Sequence, residues 1–203
     1  MPRAPGQIDR AKTQAILDAA AQVFGERGLA ASMEEIARRA KVSKQTIYNH
    51  YGSKQELIRA IVDRRVLEIT APLMAPGSAE RPEATLATFA RFMLSAVMQP
   101  RGGAMLRMTV ESAAEQPDLA RAFFEAGPAT SRRRLADFLA METQAGRLSV
   151  DDPVLAAEFF ASMVIGAHQL AHLLGVGKYY DEGQIDRVAR EATRRFLRAY
   201  APE

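Results

Sequence analysis

The stretch VSKQTIYNHYGSKQEL, Val42–Leu57, decides how the rest of the chain is read. Ser43 can cap a short helix that ends near Tyr51-Gly52. Projected at about 100° per residue with Ile47 pointing inward, Tyr51 and Lys44 fall within about 60° of it. Gln45 and Asn49 fall nearly opposite, flanked by Thr46 and Tyr48. The outward face is therefore two amides, a hydroxyl and a phenol. Asn and Gln can bond the N6 and N7 edge of adenine, and a Thr methyl or Tyr ring can meet thymine methyl groups in a major groove. Lys44, Lys54 and the backbone N–H groups at the start of the next helix suit phosphates, and His50 can approach one. The expected DNA contacts are Ser43, Lys44, Gln45, Thr46, Tyr48, Asn49, His50 and Lys54.

On the N-terminal side, Ile16, Leu17, Ala20, Val23 and Phe24 recur at spacings of three and four and stop at Gly28, which predicts an amphipathic helix. Ser32-Met-Glu-Glu35 is a capping-box pattern that opens a short helix through Ala40. Two short helices separated by about three residues make a helix-turn-helix. On the other side, Ser53-Lys-Gln-Glu56 repeats the capping box ahead of a longer helix that runs towards Pro72.

Nearly half of the 203 residues are apolar, enough for one or two domains with a sizeable core. With no cysteine, disulfides, thiolate nucleophiles and cysteine metal sites are excluded, and a reducing, cytoplasmic address is expected. The sequence gives no ground for a signal peptide or a membrane span. Charge is unevenly distributed. Residues 1–65 hold 12 Lys and Arg against 7 Asp and Glu, a net +5, whereas residues 66–203 hold 15 against 17, a net −2. A basic first third fits a polyanion partner or a solvated surface.

Beyond a break at Pro76-Gly77-Ser78, helices are expected at about 82–98, 104–114 and 118–144, the last kinked at Gly127-Pro128. Asp152-Pro153 opens an almost wholly apolar helix, Val154 to Leu174, that stops at Gly175. An amphipathic helix follows, from about Glu182 to Tyr200. Helical periodicity dominates throughout, so the expected class is all-α: a three-helix DNA-binding domain over 1–53 and a larger helical domain over 54–203. The last two helices suit a four-helix interface with a second copy or a buried core within a monomer.

Together these residues resemble the TetR family of bacterial transcriptional regulators. The resemblance rests on Ile16-Leu-Asp-Ala-Ala20, Phe24 with Gly28, Ile36-Ala37 with Ala40, Val42-Ser43-Lys44, Thr46-Ile47-Tyr48, Tyr51, and Ser53-Lys54 with Leu57. It implies a homodimer on a palindromic operator, joined through the last two helices and commonly a repressor released by a small ligand. Three features depart from the family pattern: Lys41 in a turn that commonly holds Gly, Gln45 where a small residue is usual, and a Gly28–Ile36 loop one residue shorter.

The resemblance also implies a ligand cavity in the larger domain, and its Met and Phe content points to a lipophilic effector. Expected lining residues are Phe89, Met93, Val97, Met105, Met108, Phe124, Phe138, Phe159, Met163 and His168, with core packing as the alternative for most. His168 and His172 share metal-binding spacing on one helix but lack a convincing third ligand, so neither metal nor cofactor is expected. Arg132-Arg133-Arg134 reads as a solvated face. Two other function classes compete: a helical hydrolase or lyase using His168 or His172 as base, for which no catalytic motif is present, and a ligand carrier that keeps the helix-turn-helix only as scaffold.

Overall fold

The computed structural model describes residues 10–98 and 100–202, and among these there are helices and no strand. The described residues pack as two compact units, 10–63 with 104–123, and 64–98 and 100–103 with 124–202.

The first unit contains α1 (Arg10–Arg27), α2 (Met33–Ala40), α3 (Lys44–Tyr51) and the start of α4 (Lys54–Met74). It also takes the later part of α6 (Pro100–Ser112), which follows α5 (Pro82–Met98), and most of α7 (Pro117–Phe124). The packing unit around the helix-turn-helix thus runs past residue 53. Its core joins Ile16, Ala20 and Phe24 of α1 to Ile36 of α2, Ile47 of α3 and Leu57 of α4. Helices as short as the eight-residue α2 and α3 are marginal alone and depend on such anchors and on their caps. Three serines supply the caps: Ser32 Oγ accepts from Glu35 N at 3.1 Å, Ser43 Oγ from Thr46 N at 3.0 Å and Ser53 Oγ from Glu56 N at 3.1 Å. Each cap stabilises by about 1 kcal/mol.

The turn after α2 is left-handed at Lys41, with φ 56° and ψ 40°. Val42 N donates to Ala37 O and Lys41 N to Arg38 O, a Schellman closure that places a non-glycine residue where Cβ is crowded.

The second unit is built on α5, α8 (Thr130–Gln144), α9 (Pro153–Ile165), α10 (His168–Leu173) and α11 (Glu182–Ala199). Phe160 sits centrally, its ring 6.1 Å from Phe89 and 5.0 Å from Phe196. The Glu142 carboxylate is fully buried and accepts two bonds from Arg147, at 2.7 and 3.0 Å, which compensates its desolvation.

The α4 helix, expected to run towards Pro72, passes through it and ends at Met74. Proline removes one helix bond there, while Ile69 and Leu73 remain buried on either side and hold the last turn in place. The apolar run 154–174 is not one helix. It breaks at Gly166, whose φ of 49° and ψ of −142° suit glycine alone, and resumes as α10. At Gly127-Pro128, where a kink is expected, the backbone forms a π-helical segment, Glu125–Ala129, between α7 and α8.

Candidate nucleic-acid interface

Ile47, fully buried, fixes which way α3 faces. Gln45, Tyr48, Asn49 and His50 are exposed around the rest of the helix, and Tyr51 is half-buried against the core. Gln45 Nε2 donates to Asn49 Oδ1 at 2.6 Å, so the two amides are already paired one turn apart. Thr46 is half-buried, and its hydroxyl lies 2.8 Å from that of the cap, Ser43. Tyr48 leaves its ring open with the Lys44 ammonium 5.7 Å from the ring centroid, and His50 sets its ring edge-on to Tyr51 at 4.6 Å.

The two lysines differ. Lys44 is exposed and ion-paired with Glu34 at the start of α2, a partner the sequence reading missed because the residues are ten apart on different helices. Their hydrogen bond raises the Lys44 pKa and lowers that of Glu34 below its ordinary 4.5. Lys54 instead turns inward: its ammonium donates to the Leu29 carbonyl and lies 5.7 Å from the Phe24 ring centroid. Burial lowers its pKa. The donors left exposed at that end are backbone N–H groups. Ser53 engages the N–H groups of Glu56 and Leu57, leaving those of Lys54 and Gln55 ahead of the helix ladder.

Two parts of this chain match known families. Residues 16–61 match the family described as bacterial regulatory proteins, tetR family. Residues 84–202, more than half of the chain, match the one described as AefR-like transcriptional repressor, C-terminal domain. The chain belongs to the TetR family of transcriptional regulators. Regulators of this family bind DNA and are not enzymes.

This TetR-family regulator is 32% identical over 108 residues to the HTH-type transcriptional repressor Rv3405c of Mycobacterium tuberculosis, a match covering 53% of this chain and 57% of that one. Among solved structures, a TetR-family regulator from Mesorhizobium loti superposes with a TM-score of 0.76 at 25% identity, covering 96% of this chain and all of that one. The flavonoid-responsive regulator FrrA superposes at 0.69 with 33% identity, covering 95% and 98%.

The ten residues expected to line a ligand cavity divide between settings. Met105 and Met108 are buried in the first core, whereas Phe89, Met93 and Phe138 are buried in the second, with Val97 half-buried against it. Phe124, Phe159 and Met163 are exposed, and His168 is half-buried with the Tyr180 hydroxyl 2.9 Å from its Nδ1. His172 is buried and stacks on Tyr179, ring centroids 4.8 Å apart. Among the described residues no three His, Cys, Asp or Glu are grouped to hold a metal, and no helix is long and apolar enough to cross a membrane.

The arginine run proves to be three different environments. Arg132 lies over the Phe124 ring, Arg133 is exposed, and Arg134 is half-buried with its guanidinium on the Thr70 hydroxyl at 2.6 Å. No periodicity separates these roles, because they depend on what the helix meets.

Proposed function

We propose that this protein is a homodimeric repressor that reads a palindromic operator through α3 and is released by a lipophilic effector. The observation that carries the reading is the α3 face itself, a serine-capped helix held by Ile47 with Gln45, Tyr48 and Asn49 outward. Residues 1–53 supply the reading part and residues 54–203 the effector-binding and dimerising part, and the protein acts in the cytoplasm. Repression is favoured by the similarity to Rv3405c and to the AefR-like repressor domain. A lipophilic effector is favoured by the similarity to FrrA, which is flavonoid-responsive, and by the Met- and Phe-rich second unit.

The dimer forms through α9 and α11. Ala156, Ala157, Phe160 and Val164 bury one face of α9, while Val154, Phe159 and Met163 on the other are 65%, 51% and 41% exposed. Phe159 and Met163 also line a surface groove with Arg195, Ala199 and Tyr200. A second copy would cover this apolar strip and build a four-helix interface. Two-fold symmetry then sets the two α3 helices about 34 Å apart, one duplex turn. Effector binding favours a dimer in which α4 tilts and that separation changes, lowering operator affinity in proportion to the preference of the effector for that state.

Selection of bound duplexes from a random library, at near-physiological salt and without effector, tests the reading. An enriched inverted repeat is the expected result. Weak, salt-sensitive binding with no enriched sequence would overturn it.

A further inference from the structure

The structure allocates the polar groups of α3 unequally, and what remains available sets what each can read. The Ser43 and Thr46 hydroxyls lie 2.8 Å from each other and Ser43 also caps the helix, so both serve the fold. Lys44 is held by Glu34. The groups open to a base edge are the Gln45 and Asn49 amides and the Tyr48 ring.

Each side-chain amide carries two N–H donors and one carbonyl oxygen. In the Gln45–Asn49 bond, Gln45 gives one N–H and Asn49 gives its carbonyl oxygen. Gln45 thereby retains one carbonyl acceptor and one N–H donor side by side. That is the complement of adenine, which offers a donor at N6 and an acceptor at N7 in the major groove. Asn49 retains two donors and a carbonyl with one of its two acceptor sites already taken by Gln45, which makes it the weaker complement for adenine. Holding the Gln45 amide in place before DNA arrives also removes part of the rotamer entropy that a long side chain loses on binding.

We propose that Gln45 and Asn49 act as one unit in which Gln45 selects an adenine in each operator half-site and Asn49 is the positioning residue that fixes the Gln45 amide. This rests on the operator reading above and adds the identity of one base and the division of labour between two residues. Gln45 is also where this chain departs from the small residue usual in its family, so the adenine contact distinguishes its operator.

The test is duplex selection followed by affinity measurement on single-base variants of the selected site, using the full-length protein and its Gln45→Ala, Asn49→Ala and Asn49→Asp variants. All three changes lie on an exposed face, and circular dichroism checks that each variant keeps its helix content. For the unsubstituted protein, replacing one symmetry-related adenine pair is expected to weaken binding roughly 10- to 100-fold per half-site. Gln45→Ala should flatten preference at that position to under about 3-fold, leaving the other positions unchanged. Asn49→Ala should weaken preference at the same position, whereas Asn49→Asp, which keeps an acceptor for Gln45, should preserve it even as overall affinity falls. An enriched inverted repeat in which Asn49→Ala alters a different base pair, or in which Gln45→Ala alters none, would overturn the proposal and leave the operator reading standing. No enriched repeat at all would overturn both.

Discussion

The exposed faces of α3 and α9 solve the same local problem with opposite chemistry. Each helix buries one side, through Ile47 in α3 and through Ala156, Ala157, Phe160 and Val164 in α9, and leaves the other side in water. On α3 that side carries Gln45 and Asn49, already bonded to each other, beside a lysine paired with Glu34. On α9 it carries Val154, Leu155, Phe159 and Met163. Hydrated amides exchange water for base edges at little net cost, so the first face suits a polar partner met reversibly. Exposed apolar side chains gain by leaving water, so the second suits a permanent neighbour of the same kind. Burial pattern alone makes a helix amphipathic or not; the identity of the exposed residues separates a hydrated polar face from an apolar one that gains by being covered.

The largest blow to this contrast comes from removing an anchor. Ile47→Ala should destabilise the first unit by about 2–5 kcal/mol, because Ile47 is the one fully buried side chain of α3. Chemical denaturation followed by circular dichroism measures it. A cost below about 1 kcal/mol would mean that α3 is not held by that residue. Next, Phe159→Glu should leave the monomer folded yet weaken self-association by about 30-fold or more, read by sedimentation equilibrium. An unchanged association constant would move the interface away from α9.

Smaller effects sharpen the comparison on the polar side. Lys41→Gly should stabilise the protein by roughly 0.5–1 kcal/mol, since the left-handed turn then carries no Cβ, partly offset by a more flexible unfolded chain. A loss of stability would mean that the lysine side chain makes a compensating contact. Smallest is Glu34→Gln, which releases Lys44 for a phosphate and should steepen the dependence of log affinity on log salt by about one unit. The direction of the Glu34 shift adds a pH test. Its folded pKa lies below the ordinary 4.5, so the ion pair is intact at neutral pH and is lost only as pH falls below that value. Titration of Glu34 followed by NMR should therefore show a midpoint under 4.5, and a midpoint above it would contradict the pairing.

The helix-turn-helix was legible because its signals are local. Ser32, Ser43 and Ser53 cap the following turn, Gly28 and Gly52 take left-handed φ values at helix ends, and Ile47 with Leu57 repeats the burial pattern. The outward face of α3 followed from a single inward residue and the helical period. Lys54 did not follow, because its position suits a phosphate as well as the Leu29 carbonyl, and only packing of α4 against the loop after α1 turns it inward.

Sequence by itself determined the all-α class, the family and the polar and apolar identities of the helix faces. Periods, caps and turn residues act over three to five neighbours, and any chain with this order of residues carries them. The tertiary structure decided what those faces meet. It separated Phe89 and Phe138 in the core from Phe159 on the surface, broke the 154–174 run at Gly166, drew Arg134 to Thr70 and closed the ion pair between Glu34 and Lys44. Burial and pairing of these side chains depend on residues distant in the chain, so their outcome is fixed only when the helices pack.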